Sequence, residues 1–212
     1  MDKTLYYLFD PLCGWCYGAT PVVSKALEFP GVSLQLLPAG LFTGAGARPM
    51  DDALAAYAWS NDQRIQRLTG QAFSQRYRDQ VLADRQQPFD SGPATLALTA
   101  VSLTDPAREL EALKAIQHAR YVDGSDITSL TALAALLETL GLRKAAAKVA
   151  HPDADLIDAN RARLGRAQAL MREFGARGVP TLIVESGAKR RVLDHAAAYS
   201  DPHALASQLE AG

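Results

Sequence analysis

The sequence predicts an α/β fold in which an all-helical segment interrupts a small unit of strands and helices. Strand-like segments occur only near the two ends of the 212-residue chain, and helical patterns fill the middle. A strand, a helix and a second strand also follow one another near the N-terminus, within the length of a βαβ unit. A hairpin and a last helix complete the pattern near the C-terminus.

The N-terminal end of the chain predicts a βαβ unit. Residues 4–9 are aromatic and aliphatic and end at an Asp-Pro turn, which is typical of a short buried strand. We expect a helix from about Cys13 that bends at Pro21 and ends before Pro30. Residues 32–37 alternate in polarity and predict the second strand. Because the connection is short, a right-handed parallel unit is expected.

Helical spacing of Ala, Leu, Gln, Arg and Glu replaces the strand pattern from residue 51 to about residue 150. Several helix starts are marked by a capping residue or by a proline in the first turn. The expected helices cover 51–60, 62 to about 83, a start at Ser91, a start at Asp105, Ser125 to Gly141, and 153–174.

Strand-like residues return at 181–184 and 191–193, and the Gly-containing segment between them predicts a hairpin. Ser200 and Asp201 are expected to cap a last helix that ends near Leu209. We therefore divide the chain into an N-terminal half of the α/β unit, a helical insertion, and a connecting helix with the C-terminal half. The expected boundaries are 1–39, 40–150 and 151–212.

Composition excludes several classes of protein. Hydrophobic residues make up 48% of the chain and charged residues 21%, which is typical of a globular protein. The net charge of −1 gives no electrostatic reason to expect nucleic acid or a membrane surface as a partner. No secretory signal is visible at the N-terminus, so we expect a cytoplasmic protein, or a periplasmic one if a leader has been removed.

The two cysteines, Cys13 and Cys16, form a Cys-x-x-Cys motif where the first strand turns into the first helix. The N-terminus of a helix stabilises a thiolate, so Cys13 is expected to be an exposed nucleophile. Cys16, one turn further on, is placed to attack a mixed disulfide and release the product. Gly14 would let another chain approach the thiolate, and Trp15 would offer an apolar contact surface.

Two other interpretations of the cysteine pair are weaker. A tetrahedral zinc site needs further ligands, and the chain has no second cysteine pair. The histidines also lack the spacing of metal ligands; they are His118, His151, His195 and His203. Two unrelated buried cysteines fit the turn between strand and helix poorly. We therefore expect redox chemistry and no metal.

Two further features accompany this motif. Val179 and Pro180 precede the third strand, and a proline at this position can simply begin a strand. Combined with a Cys-x-x-Cys motif in the first βαβ unit, however, this is the arrangement of the thioredoxin fold. Asp10, before a proline, could cap the turn, orient backbone N–H groups or relay a proton.

The segments FDPLCGWCYG and GVPTLIV resemble the DsbA-like branch of the thioredoxin superfamily, and most of all its FrnE-like, predicted protein-disulfide isomerase group. The resemblance covers essentially the whole chain and implies a thioredoxin fold with an inserted helical domain. It implies a cis bond between Val179 and Pro180, with Pro180 against the cysteine pair. It also implies that the Val179 backbone binds an extended substrate. Thr181, which follows Pro180, is a candidate supporting residue of the site.

The sequence departs from parts of this branch. Strongly oxidising periplasmic members carry Pro-His between the cysteines, whereas this chain carries Gly-Trp, so extreme oxidising power is not implied. Kappa-class glutathione transferases and chromene carboxylate isomerases also resemble the chain, but they generally have serine where Cys13 stands. Two cysteines favour dithiol chemistry, and glutathione remains a possible reductant or co-substrate.

The sequence therefore predicts a thiol–disulfide oxidoreductase that acts on protein or small-molecule disulfides as an oxidase, reductase or isomerase. Its redox group would be the Cys13–Cys16 disulfide, with no bound cofactor. Its partners would be disulfide- or thiol-containing proteins or peptides. Two alternatives are a glutathione-dependent transferase or isomerase, and a redox-dependent chaperone or binding module without turnover.

Overall fold

A mixed sheet lies at the centre of the protein, which we describe from a computed structural model of residues 2–194, 196, 199 and 202–210. The strands are β1 (Lys3–Phe9), β2 (Val32–Pro38), β3 (Arg48–Pro49), β4 (Pro88–Phe89), β5 (Thr181–Ser186) and β6 (Lys189–Leu193). Four of them form the central sheet in the order β2-β1-β5-β6, and β3 pairs with β4 separately.

Helices surround this sheet. They are α1 (Gly14–Ala26), α2 (Asp52–Thr69), α3 (Gly92–Thr104), α4 (Glu109–Tyr121), α5 (Leu130–Thr139), α6 (Arg143–Ala150), α7 (Ala154–Glu173) and α8 (Pro202–Glu210). Short 3₁₀ turns occur at Gly44–Gly46 and Pro106–Arg108, and a π-helix covers Tyr77–Leu82. The expected cap of the last helix at Ser200 and Asp201 lies outside the described residues.

The pairing of the strands confirms the predicted α/β fold of the thioredoxin type. β1 runs parallel to β2, with α1 as the crossover between them. β5 runs antiparallel to β1 and to β6, so the hairpin joins the sheet beside β1. Gly187 has a φ of 58° in the hairpin turn, a conformation that favours glycine.

The first two helices predicted for the insertion are wrong in their boundaries. A single helix, α2, runs through the expected break between residues 60 and 62 and ends at Gly70, which has a φ of 74°. No proline or glycine lies within α2, so nothing interrupts it. The expected continuation to residue 83 is replaced by a loop and the π-helix. The two-residue strands β3 and β4 also lie in a region where strands were not expected.

The helix expected from Ser125 begins later. The Asp126 carboxylate accepts a hydrogen bond from the backbone N–H of Thr128 at 2.7 Å, which makes a turn rather than a helix. Ser129 then caps α5 by accepting a bond from the N–H of Ala132 at 3.3 Å. Beyond α5, helix α6 was not predicted as a separate element.

One hydrophobic cluster connects the sheet with the helical segment. It contains buried residues of β1 and α1 together with residues of α3, α4, α5 and α6. The division at 39/40 and 150/151 remains a prediction, but the helical segment shares its core with the sheet rather than having one of its own. Within the described part of the chain, no helix is both long enough and apolar enough to cross a membrane.

Candidate active site

Cys13 lies at the N-terminal end of α1, just beyond the end of β1. Its backbone is extended, with φ −83° and ψ 114°, and its carbonyl accepts the first helical hydrogen bond from the N–H of Tyr17 at 3.0 Å. The N–H groups of the first helical turn have no earlier carbonyl to bind, so they point toward this end of the helix. Cys13 as a whole is only 8% exposed, which corrects the expectation of an exposed thiol.

The segment before β5 covers the Cys13 thiol. Cys13 Sγ donates a weak hydrogen bond to the carbonyl oxygen of Val179 at 3.6 Å. The Val179–Pro180 bond is cis, as the resemblance implies, and Pro180 is buried. The hydroxyl of Thr181 donates to the carbonyl of Gly178 at 2.8 Å, so Thr181 closes the turn that presents Val179.

Cys16 lies one turn deeper in α1 and is completely buried. Both cysteines are free thiols. Burial raises the pKa of the Cys16 thiol well above its usual value, and the neighbouring Cys13 adds to this increase. The hydroxyls of Tyr7 and Thr20 donate to the Cys16 carbonyl at 2.8 and 3.0 Å, which fixes this turn of the helix. Cys16 is therefore held protonated beneath Cys13.

Trp15 forms the edge of the site and is half-buried. Its ring lies 5.6 Å from the ring of Tyr199, whose hydroxyl donates to the Trp15 carbonyl at 3.1 Å. The guanidinium of Arg64 lies 5.7 Å from the centre of the Trp15 ring. Burial raises the pKa of Tyr199, and the two cysteines add to this increase.

Asp10 is completely buried behind the turn that leads into α1. One of its carboxylate oxygens accepts from the N–H of Leu12 at 2.9 Å. The other accepts from the N–H of Phe42 at 3.1 Å and from the hydroxyl of Ser91 at 2.7 Å. Burial raises the pKa of Asp10, and these hydrogen bonds oppose the increase. These hydrogen bonds hold together the turn that leads into α1.

The structure corrects the expected role of Gly14. The space that a side chain would occupy at this position is filled by residues of α2, not left open for a substrate. A Cβ atom on residue 14 would overlap with the Asp62 carboxylate and would lie 3.0 Å from Cδ1 of Ile65. Gly14 therefore allows α2 to pack against the start of α1.

The sequence analysis missed a buried polar cluster next to this glycine. The hydroxyl of Tyr77 donates to Asp62 Oδ2 at 2.9 Å, and both residues are almost completely buried. Arg120 is buried beside them, with its guanidinium 5.4 Å from the Tyr77 ring and 5.8 Å from the Tyr121 ring. These residues come from three separate elements, so no local pattern in the sequence could have identified the cluster.

Among the residues that the structure describes, no group of His, Cys, Asp and Glu side chains is arranged to hold a metal ion. His195 and the side chain of His203 lie outside them. The described site therefore contains two thiols, a carbonyl that contacts one of them, and an aromatic edge. This arrangement can perform thiol–disulfide exchange, in which one sulfur attacks a disulfide and the second displaces the product.

Comparisons with known proteins agree with this chemistry. Residues 4–210 match the DSBA-like thioredoxin domain family. The fold is similar to that of the cytosolic disulfide reductase DsbM from Pseudomonas aeruginosa, with 36% identity, a TM-score of 0.87 and coverage of 99% of this chain and 100% of that chain. A structure of DsbM with GSH gives 34% identity, a TM-score of 0.82 and coverage of 98% of each chain.

A third solved structure, of a proposed protein disulfide isomerase from Nitrosomonas europaea, has 25% identity and a TM-score of 0.79. The alignment covers 100% of this chain and 99% of that chain. The search of curated proteins found no match. Similarity in sequence and fold therefore extends over the full described chain, including both halves of the site.

Proposed function

The chain belongs to the DSBA-like thioredoxin domain family, and we propose that it reduces disulfides through Cys13 and Cys16 with glutathione as the source of electrons. The chain is a thiol–disulfide oxidoreductase, because its family and its structural relatives share that chemistry. The observation that carries the assignment of roles is the position of Cys13 Sγ, at the start of α1 and 3.6 Å from the carbonyl oxygen of Val179.

In the first step, the Cys13 thiolate attacks one sulfur of a substrate disulfide. A Cys13–substrate disulfide forms and the other substrate sulfur leaves as a thiolate. The backbone N–H groups at the start of α1 stabilise the negative charge on Cys13 before the attack. The Val179 backbone and the Trp15 ring then hold the substrate chain beside the sulfur, as a strand would be held at a sheet edge.

In the second step, Cys16 gives up its proton and attacks the sulfur of Cys13. The substrate leaves as its second thiol, and the protein holds a Cys13–Cys16 disulfide, so two electrons have passed to the substrate. The pKa of buried Cys16 is raised, which keeps this thiol protonated and unreactive toward external disulfides. Separate reactivities for the two thiols follow from their different depths in the site.

Glutathione is proposed as the reductant because a structural relative, DsbM, has been solved with GSH. Two glutathione molecules would reduce the Cys13–Cys16 disulfide and leave as glutathione disulfide, which balances the two electrons. We place the reaction in the cytosol, since DsbM is a cytosolic disulfide reductase and a reducing compartment keeps both thiols ready to attack.

A coupled assay tests this function. Reduction of a protein disulfide such as that of insulin is followed in the presence of glutathione, glutathione reductase and NADPH. Wild-type protein is expected to accelerate NADPH consumption, C13S to abolish the acceleration, and C16S to lose reduction of the protein disulfide. Full activity in C13S would overturn the assigned roles. Conjugation of glutathione to an electrophile without exchange would instead support the transferase alternative.

The same variants distinguish an enzyme from a binding module. A redox-dependent chaperone would suppress aggregation of an unfolded protein equally well after both cysteines are replaced, and the wild type would show no turnover in the coupled assay. The proposed function predicts turnover that depends on Cys13.

A further inference from the structure

Asp62 lies where helix α2 meets the start of α1. Its carboxylate fills the place of the missing side chain at Gly14, the first residue of α1. Gly14 directly follows Cys13, so this carboxylate and the thiol lie at the same helix end. The proposed function gives Asp62 no role. Burial of an ionisable group costs free energy of folding unless the group is paired, so its presence here needs an explanation.

The surroundings of Asp62 are almost completely closed to solvent. Asp62 is 4% exposed, and its Oδ2 atom accepts a hydrogen bond from the hydroxyl of Tyr77 at 2.9 Å. The charged or titratable groups that face it are Tyr77 on the π-helix and Arg120 and Tyr121 on α4. Cys13 precedes Gly14, whose Cβ position the carboxylate fills. Arg120 is itself buried, so the cluster has little contact with water.

Burial raises the pKa of Asp62 to about 7, whereas the Tyr77 hydrogen bond and the charge of Arg120 oppose the increase. Burial prevails because it removes the water that would stabilise the carboxylate. The charge on Asp62 therefore changes in the pH range in which a cytosolic enzyme works.

A helix N-terminus stabilises one negative charge more readily than two. Its stabilisation comes from the same few N–H groups, and two nearby anions also repel each other. An ionised Asp62 thus opposes formation of the Cys13 thiolate, and a neutral Asp62 does not.

We propose that Asp62 is a positioning residue that controls the reactivity of Cys13 by its charge at the start of α1. Tyr77 and Arg120 favour the ionised form of Asp62 and so set the pH at which it ionises. Residues of the helical segment, rather than of the sheet, would therefore adjust the reactivity of Cys13. This inference rests on the proposed role of Cys13 as the attacking thiol.

The test is the pH dependence of Cys13 alkylation. Reduced protein is treated briefly with iodoacetamide between pH 5 and pH 10, and the labelled peptide is quantified by mass spectrometry. Wild-type protein is expected to give a broadened profile with an inflection near the pKa of Asp62, about 7. D62N should give a single ionisation. Below that inflection its rate should equal the wild-type rate. Above it the rate should be about threefold to tenfold faster, until the pH is high enough to ionise Cys13 fully in both proteins and the two rates converge.

Glu109 provides a matched control. Its pKa is also raised to about 7 by burial, but its partner is Arg163 on α7. E109Q should keep the broadened profile of the wild type. If E109Q removes the inflection as D62N does, the inflection reflects general stability and the proposal is wrong. Identical profiles for D62N and the wild type would also overturn it.

Y77F gives a second, gentler variant in case D62N does not fold. Loss of the Tyr77 hydroxyl removes a hydrogen bond that favours the ionised carboxylate, so the inflection should move upward by about half a pH unit to one unit. An unmoved inflection in folded Y77F would contradict the proposal. If the label is found on Cys16 rather than Cys13, the proposed function fails instead, so the two failures are distinguishable.

Discussion

The sulfur of Cys13 lies 3.6 Å from the carbonyl oxygen of Val179, although the two residues are far apart in the chain. The contact joins the N-terminal and C-terminal halves of the thioredoxin fold directly at the thiol. A substrate chain that displaces this contact would find the Val179 backbone free to bind it and the Cys13 sulfur beside its disulfide. In the proposed function, the reacting sulfur and the backbone that binds the substrate therefore lie within a few ångströms of each other.

The different depths of the two cysteines predict selective alkylation. Cys13 retains 8% exposure, whereas Cys16 has none and its pKa is raised by burial. Brief treatment of the reduced protein with iodoacetamide at neutral pH should therefore label Cys13 at least about tenfold faster than Cys16. Peptide mass spectrometry measures both rates, and preferential labelling of Cys16 would reverse the assigned roles.

The packing around Gly14 predicts a loss of stability in G14A. The added methyl group would overlap with the Asp62 carboxylate and approach Ile65, and both are buried. Overpacking of this kind costs about 1–3 kcal/mol in the free energy of unfolding, which urea titration measures. G165A is the matched control, because Gly165 on α7 has open space at its Cβ position. It should be neutral or stabilising by about 0.5–1 kcal/mol.

Asp10 is expected to be structural. Its two oxygens already accept hydrogen bonds from Leu12, Phe42 and Ser91, so D10N would place an amide N–H₂ group opposite a donor. We expect D10N to lower the free energy of unfolding by about 2–4 kcal/mol. The exchange rate per folded molecule should stay within about twofold of the wild type, since no proton relay is lost. A large fall in that rate in a well-folded variant would indicate a catalytic role.

The two buried carboxyl groups with raised pKa values predict how stability depends on pH. The pKa values of Asp62 and Glu109 in the folded protein are both about 7, above the usual value near 4 for an unfolded chain. For Glu109, the burial effect exceeds the opposing effect of its ion pair with Arg163. The folded protein therefore binds these protons more tightly than the unfolded chain does.

Their contribution to stability is fully present below about pH 4 and is lost as the pH rises through about 7. We expect D62N to flatten the dependence of the unfolding free energy on pH in this window by on the order of 1–3 kcal/mol. D158N, which changes an exposed carboxylate on α7, is the control and should leave the slope unchanged. An unchanged slope in D62N would show that the folded carboxyl does not retain its proton.

The parts of the site that could be predicted from sequence are those that depend on local pattern. The cysteine pair follows a strand-like segment and begins a helix, so the neighbouring residues predict its position at the start of α1. The hairpin after Pro180 was predicted for the same reason. The cis bond was implied by the resemblance and is present.

The remainder depends on contacts between elements. The burial of Cys13 and the filling of the Gly14 position both result from how α2 and the segment before β5 pack against α1. The position of Asp62 beside Gly14 follows from that packing too. A lone Asp in an amphipathic helix is usually on a solvent-exposed face, so nothing distinguished this one in the sequence.

The most direct test of the account is capture of the intermediate by C16A. With the second attack removed, the mixed disulfide formed by Cys13 should accumulate when the variant is mixed with a disulfide-containing peptide. Non-reducing electrophoresis and mass spectrometry should show one peptide bound at Cys13, and no adduct in the C13A/C16A control. No adduct in C16A, or an adduct equally abundant in wild-type protein at long times, would contradict attack by Cys13 and resolution by Cys16.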